Sequence, residues 1–182
     1  MLRNLGDIRD VDRLSRFESD HCLARLVELF ETPIHGHFDS DHLRRVHRFL
    51  FQDVYAWAGE FRTVNLAKGN SFFARPEYII PELQKLFQRL ASEQFPRGSD
   101  PEAFCKSAAY YLAEINALHP FREGNGRAQR EFIRELALEA GYELEWDLLT
   151  QDELHAASVA SFHEGSGAAL ARILNKIIRP MQ

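Results

Sequence analysis

Twelve residues decide the fold of this chain: His119-Pro120-Phe121-Arg122-Glu123-Gly124-Asn125-Gly126-Arg127-Ala128-Gln129-Arg130. They hold a histidine, a carboxylate, two glycines and three arginines. Before them, apolar residues recur at helical spacing from Phe104 to Leu118, behind Asp100 as a helix N-cap and Pro101 at the first helical position. This helix must end near His119, because a proline disfavours the helical conformation in the residue before it.

A second helical pattern follows, from Arg127 to Ala140, with Gly141 as its stop. Residues 123–126 therefore form a loop that leads into a helix N-terminus. Such an N-terminus carries unpaired N–H groups and about half a unit of positive charge, and glycines let a loop curve its N–H groups around an anion. The pattern predicts a phosphate-binding site.

The charged residues support this prediction. Arg127, Arg130 and Arg134 are spaced i, i+3, i+7, which places them on one helix face and suits a triphosphate. Glu123 would repel phosphates unless it holds a magnesium ion that bridges them. His119 can accept a proton, since an ordinary histidine pKa of about 6.5 leaves it mostly neutral at pH 7. A purely structural helix–turn–helix would have to explain all of these features together.

The stretch resembles the signature of the Fic family, His-Pro-Phe-x-(Asp/Glu)-Gly-Asn-Gly-Arg-x-x-Arg, at every defined position. The resemblance implies a protein adenylyltransferase, which moves AMP from ATP to a Tyr, Ser or Thr hydroxyl of a target protein with Mg²⁺ as cofactor. It implies that His119 is the base, that Glu123 holds the metal, and that Arg130 binds the γ-phosphate. The residues that would cradle the phosphates are Gly124, Asn125, Gly126 and Arg127.

Two alternatives stay open. Relatives that phosphorylate their targets have a lysine where this chain has Gly126-Arg127, which favours AMP transfer, but transfer of UMP or phosphocholine is harder to exclude. The other alternative is a binding module that holds a nucleotide and a partner without turnover.

Composition indicates one globular unit with a protein partner. The chain has 182 residues, 45% hydrophobic and 27% charged, and a net charge of −5 that argues against direct nucleic-acid binding. Cys22 and Cys105 fall at apolar helical positions without metal or disulfide spacing, which fits a reducing bacterial cytoplasm. No stretch approaches the length of a membrane span, so we expect no membrane partner.

Residues 1–39 are predicted to be a helical extension of a Fic domain that covers residues 40–182. Ser19 or Asp20 is expected to cap a helix that ends before Pro33. Its predicted core face consists of Leu23, Leu26, Val27 and Phe30. The nearby histidines lack the paired spacing of zinc ligands and are expected to be surface or capping residues: His35, His37, His42 and His47.

Asp39 is expected to cap the next helix, from Ser40 to about Ala58. The following residues, Glu60 to Phe73, predict a short β-hairpin around a glycine-containing turn. By resemblance to Fic proteins this hairpin is the flap that pairs with an extended segment of the target. Its residues are Lys68, Gly69, Asn70, Ser71 and Phe72.

The remaining pattern is helical. It predicts helices over 76–94, from a capping box at Thr150 and Glu153 to about His163, and over 168–178, with residues 95–99 as a loop. The expected fold class is therefore all-α, the Fic helical fold, with a central helix–loop–helix active site and one β-hairpin flap.

Regulation is predicted from a missing motif. Many Fic proteins carry an inhibitory helix, (Ser/Thr)-x-x-x-Glu-(Gly/Asn), whose glutamate pairs with the second motif arginine. The nearest run here, Ser161 to Gly165, is one residue short. The chain thus resembles the stand-alone toxin type, class I, in which a small antitoxin supplies that glutamate to Arg130 from a contact on the N-terminal helices. In such toxins the targets are the type II topoisomerases gyrase and topoisomerase IV, modified on a tyrosine.

Overall fold

A computed structural model describes residues 1–69, 71–93 and 100–181. Within these residues the chain is mostly helical, which confirms the all-α class. The helices are α1 (Val11–Glu31), α2 (Ser40–Phe51), α3 (Pro76–Ser92), α4 (Pro101–Leu118), α5 (Asn125–Ala140), α6 (Gln151–Glu164) and α7 (Ala168–Ile177), with a 3₁₀ turn at Trp146–Leu148. The strands are β1 (Ala67–Lys68), β2 (Ser71–Phe72), β3 (Tyr142–Leu144) and β4 (Ile178–Pro180).

The central helix pair forms as predicted. The Asp100 side chain accepts a hydrogen bond from the Ala103 N–H at 3.0 Å, and α4 then runs to Leu118. Helix α5 packs against α2 and α4, with most of its apolar side chains buried. It begins at Asn125, two residues earlier than predicted, because Gly124 directly before it takes the left-handed conformation that ends the loop.

The prediction for the N-terminal helix was wrong in its start and in its buried face. Helix α1 begins at Val11, where the Asp10 side chain accepts a hydrogen bond from the Arg13 N–H at 2.8 Å. The expected core residues Leu23, Val27 and Phe30 are 63%, 56% and 74% exposed. The helix instead buries Leu14, Glu18, Cys22 and Leu29. Because this buried face includes the carboxylate of Glu18, a search for apolar residues at helical spacing does not identify it.

Helix α2 ends at Phe51 rather than near Ala58, and turns follow it. His42 and His47 were expected to be surface or capping residues, and both are buried, so the surface part of that prediction was wrong for them. His42 contacts the Glu135 carboxylate at 2.6 Å, and His47 accepts a hydrogen bond from the Gly59 N–H at 2.9 Å. No cluster of three metal-ligating side chains exists among the described residues.

The structure contains a second small sheet that the sequence did not predict. Strand β3 pairs antiparallel with β4, with Glu143 opposite Arg179, and joins the end of α5 to the last described residues. More than thirty residues separate the two strands, so no local turn signal in the sequence indicates that they pair. The predicted hairpin is present, with Lys68 opposite Ser71. The loop predicted over residues 95–99 and position 70 of the hairpin lie outside the described residues.

Candidate active site

His119 occupies the C-cap of α4 in the left-handed conformation, with φ of 47°. Its N–H donates to the Ile115 carbonyl at 2.9 Å, and its ring stacks on the Phe73 ring with 3.8 Å between the centroids. The Arg62 guanidinium donates to the His119 carbonyl at 2.8 Å. The histidine is thus held by its backbone and by one ring face.

Burial sets the protonation state of His119. It lowers the pKa of this imidazole to about 4, helped by the positive charges of Arg62 and Lys68 and opposed by the backbone of Asn116. His119 is therefore neutral at pH 7 and can accept a proton. Its Nδ1 atom is buried, which leaves Nε2 as the nitrogen available to a reactant.

The side chain of Asn125 braces the loop between α4 and α5. Its amide oxygen accepts from the Phe121 N–H and its amide nitrogen donates to the Phe121 carbonyl, both at 2.8 Å. His47 supports the same loop from α2: its Nε2–H donates to the Glu123 carbonyl at 2.9 Å, and its ring stacks on Phe121. Both ends of the Asn125 amide are therefore engaged in holding the loop.

The first turn of α5 opens into a cavity of about 500 Å³. The N–H groups of a first helical turn have no partners within the helix, so they suit an anion. The cavity brings together His119, Glu123, Gly124, Asn125, Gly126, Arg127 and Arg130, all from the predicted motif. Lys68 of the hairpin joins them.

The three aligned arginines have different surroundings. Arg127 forms an ion pair with Glu18 and lies over the Phe51 ring at 4.8 Å. Arg130 makes no ion pair with any residue that the structure describes, and burial and the nearby Arg127 lower its pKa. Arg134 is not in the cavity: it is buried and donates to Glu131 and to the Leu29 carbonyl. Its prediction as a phosphate ligand was therefore wrong, because the helix face turns into the core one turn beyond Arg130.

Glu123 is an exposed carboxylate at the cavity, and its Oε1 accepts from the Gly124 N–H at 2.9 Å. Mg²⁺ at a phosphate site usually takes only one or two carboxylates from the protein, with water and phosphate oxygens as its other ligands. The donor set at this position therefore fits a metal that binds together with a nucleotide.

Some residues of the cavity were missed by sequence reasoning. Helix α1 contributes Glu18 and Cys22, and α6 contributes His155 and Ser158. Their positions depend on how distant helices pack, and no local motif marks them. Glu164, at the end of α6, does not line the cavity.

On the hairpin, Gly69 takes a φ of 56° and Phe72 is 80% exposed.

Comparison with known proteins agrees with this geometry. The sequence profile of the Fic/DOC family matches residues 37–137. Protein adenylyltransferase VbhT of Bartonella schoenbuchensis is 46% identical over 173 residues, which are 95% of this chain and 36% of that protein. The chain thus spans about a third of the length of VbhT.

Two further relatives are close to this chain in length. The protein y4lH of Sinorhizobium fredii, named a probable protein adenylyltransferase, is 42% identical over 98% of this chain and 91% of its own length. The N-terminal Fic domain of a VirB-translocated effector protein from Bartonella quintana, solved with bound ADP, superposes with a TM-score of 0.94 at 28% identity, covering 100% of this chain and 92% of that one. VbhT is named a protein adenylyltransferase and y4lH a probable one, and this chain is accordingly an enzyme of the nucleotidyltransferase class. The chain belongs to the Fic/DOC family.

Proposed function

We propose that this protein transfers AMP from ATP to a Tyr, Ser or Thr hydroxyl of a target protein. One observation carries the proposal: one cavity holds a neutral histidine, the open first turn of α5 and the guanidinium of Arg130, which has no ion pair to any described residue. The combination supplies a base beside an anion site, which nucleotidyl transfer requires. The ADP-bound Bartonella quintana structure supports the identity of the nucleotide.

In this mechanism the phosphates lie on the first turn of α5, with Arg130 on the γ-phosphate. Nε2 of His119 accepts the proton of the target hydroxyl as its oxygen attacks the α-phosphorus, and pyrophosphate leaves with the bonding electrons of the broken P–O bond. Glu123 would hold Mg²⁺, which neutralises phosphate charge when bound. The protein contributes mainly position and charge, because phosphoryl chemistry needs little else from it.

The β1–β2 hairpin is the proposed docking edge for the target. Its two strands have two residues each and lie beside the cavity through Lys68, so an extended target segment could add to the edge and present its hydroxyl near His119. The target class is type II topoisomerases, gyrase and topoisomerase IV, on the basis of the resemblance to stand-alone Fic toxins.

A small antitoxin is the proposed regulator. The exposed apolar face of α1, formed by Leu23, Val27 and Phe30, offers it a contact surface. Arg130, without an ion pair among the described residues, is available to a glutamate from that partner. We expect replacement of Val27 and Phe30 by serine to abolish copurification of the antitoxin while the catalytic cavity stays intact, because neither residue lines it.

The location proposed for the enzyme is the cytoplasm, and both cysteines are free thiols, as a reducing compartment allows. Among the described residues, none of the helices combines the length and hydropathy of a bilayer-spanning segment.

The transfer is tested with α-³²P-ATP, Mg²⁺ and bacterial lysate. His119→Ala should lower the labelling rate by about 10²- to 10⁴-fold, the usual contribution of a general base. His37→Ala is the matched control, because His37 is exposed and does not line the cavity. Full labelling by His119→Ala would overturn the assignment of the base. ATP binding without any labelled protein would favour a non-catalytic nucleotide-binding module.

A further inference from the structure

Glu18 of helix α1 is a buried carboxylate that reaches the catalytic cavity from outside the signature motif. It is 8% exposed and lines the cavity together with Arg127 and Arg130. A carboxylate beside a phosphate site repels the ligand, and burial of an ionised group is costly unless it is paired. Its presence there needs a specific reason.

The contacts of Glu18 give that reason. One carboxylate oxygen accepts a hydrogen bond from the Arg127 guanidinium, and the other accepts one from the Tyr55 hydroxyl. The ring of Phe51 lies 4.8 Å from the same guanidinium. Arg127 is therefore held at one edge by a charge and on one face by an aromatic ring, which together fix a planar group.

The ion pair with Glu18 also makes Arg127 and Arg130 different from each other in charge. Glu18 compensates the charge of Arg127, whereas Arg130 faces the cavity without an ion pair to any described residue. The side chain of Arg127 remains 24% exposed, so part of its guanidinium is still accessible from the cavity. Arg130 supplies net positive charge, and Arg127 supplies hydrogen-bond donors in a fixed orientation.

We propose that Glu18 is a positioning residue for AMP transfer: through its ion pair it holds the Arg127 guanidinium in the orientation that the transferring phosphates require. This proposal rests on the proposed function and extends it to helix α1, of which the Fic/DOC profile match at residues 37–137 includes no part. Tyr55 completes the arrangement by orienting the Glu18 carboxylate.

The proposal predicts that rate and binding separate in Glu18→Gln. This variant keeps the shape of the side chain but removes its charge. Arg127 then becomes mobile, and its positive charge is no longer compensated near the phosphates. The maximal labelling rate should fall by about 10- to 100-fold, the cost of misplacing a group in an active site, while the apparent KM for ATP changes by less than about 3-fold. Tyr55→Phe should show a smaller fall of the same kind.

The matched control is Asp53→Asn. Asp53 accepts hydrogen bonds from Arg25 at 2.7 and 2.9 Å, so this ion pair also joins α1 to the segment after α2, but it lies outside the cavity. If Glu18 only attached α1 to the rest of the fold, both variants would lower the melting temperature and neither would change the maximal rate below it. Equal rates for Glu18→Gln and wild type would therefore overturn the proposal.

Calorimetry with ATP and Mg²⁺ keeps the test independent of the target. Glu18→Gln should bind ATP at least as tightly as wild type, because it removes a negative charge near the phosphates. Binding that is more than about 3-fold weaker would overturn the positioning role, whether or not any protein is labelled. Absence of labelling by the wild-type enzyme would count against the proposed function alone.

Discussion

Gly124 lies where backbone conformation and packing both exclude a side chain. It has a φ of 76°, and a Cβ atom built there would lie 2.3 Å from the Phe51 ring. The loop therefore passes directly over α2, and the same aromatic ring lies under Arg127. The glycine thus sets how closely the phosphate-binding loop approaches the ring that supports the arginine.

Gly124→Ala should destabilise the protein more than Gly141→Ala does. Gly141 has a φ of 88° but nothing within 4 Å of a built Cβ, so its replacement costs only backbone strain, about 1–2 kcal/mol. Gly124→Ala adds a steric clash and should cost about 1–3 kcal/mol more, as overpacking does. Denaturant unfolding measures the difference. The enlarged space in Phe51→Leu should recover part of it, and equal losses in the two alanine variants would contradict the close approach.

His119 gives a prediction about pH. Its pKa of about 4 keeps the imidazole neutral from pH 8 to pH 6, so kcat/KM for ATP should change less than about 2-fold through this group. A histidine with the ordinary pKa of about 6.5 would be about three-quarters protonated at pH 6 and would lose that share of the rate. The pH–rate profile of kcat/KM distinguishes the two cases, and a midpoint near pH 6.5 would contradict a base whose pKa is lowered by burial.

At the scale of the elements, local chemistry was enough to predict where several helices start. Asp39 and Asp100 cap α2 and α4, and Thr150 and Glu153 form the capping box of α6. These signals act over three residues, so the sequence alone contains them. The end of α2 and the buried face of α1 depend on which neighbours cover them. Long-range packing decided those features, and sequence periodicity did not predict them.

Arg62 joins the hairpin to the catalytic end of α4. Its guanidinium donates hydrogen bonds to the carbonyls of Leu118, His119, Val64 and Ala74. The backbone N–H of Arg62 donates to the Pro120 carbonyl at 2.9 Å. One side chain thus connects the segments on both sides of the hairpin to the backbone that carries His119. Lysine keeps the charge of arginine but has too few N–H donors to bind all four carbonyls.

Arg62→Lys should therefore loosen the hairpin and slow transfer. We expect faster hydrogen exchange of the amides in residues 64–74 and a fall of about 10-fold or more in the labelling rate, because His119 and the docking edge lose their common support. Arg75→Lys is the control, since Arg75 is an exposed N-cap residue without a capping side-chain hydrogen bond. Normal hydrogen exchange in Arg62→Lys would show that the hairpin is held by other contacts.

At the scale of the whole molecule, the sequence predicted the part of the cavity that is continuous in the chain. His119, Glu123 and Arg130 meet in the cavity because a loop of a few residues joins their two helices. Glu18 and His155 reach the same cavity from helices before and after that unit. Their approach depends on the packing of α1 and α6, which a motif of twelve residues does not encode.

The same packing gives a prediction about residues 1–39, which the sequence indicated as an extension of a separate domain. Helix α1 buries Leu14 and Leu29, and burial of each leucine stabilises a fold by about 1.5–3 kcal/mol, to which the buried Cys22 adds. Polar contacts add to this: the Leu29 carbonyl accepts from Arg134, and the Ile34 N–H donates to the Glu135 carboxylate at 2.7 Å. The sum is comparable with the total stability of a domain, about 5–15 kcal/mol.

A chain restricted to residues 40–182 should therefore fail to unfold cooperatively, because removal of α1 exposes the apolar surface of α2 and leaves Arg134 and Glu135 buried with fewer partners. Thermal unfolding followed by near-ultraviolet circular dichroism is the measurement. The control is the full chain with Leu23→Ser and Val27→Ser, which alters the exposed face of α1 and should shift the melting temperature by only a few degrees, about what exposed substitutions cost. A cooperative transition of residues 40–182 near the wild-type temperature would establish them as a domain in their own right, and α1 would then serve the cavity without being needed for the fold.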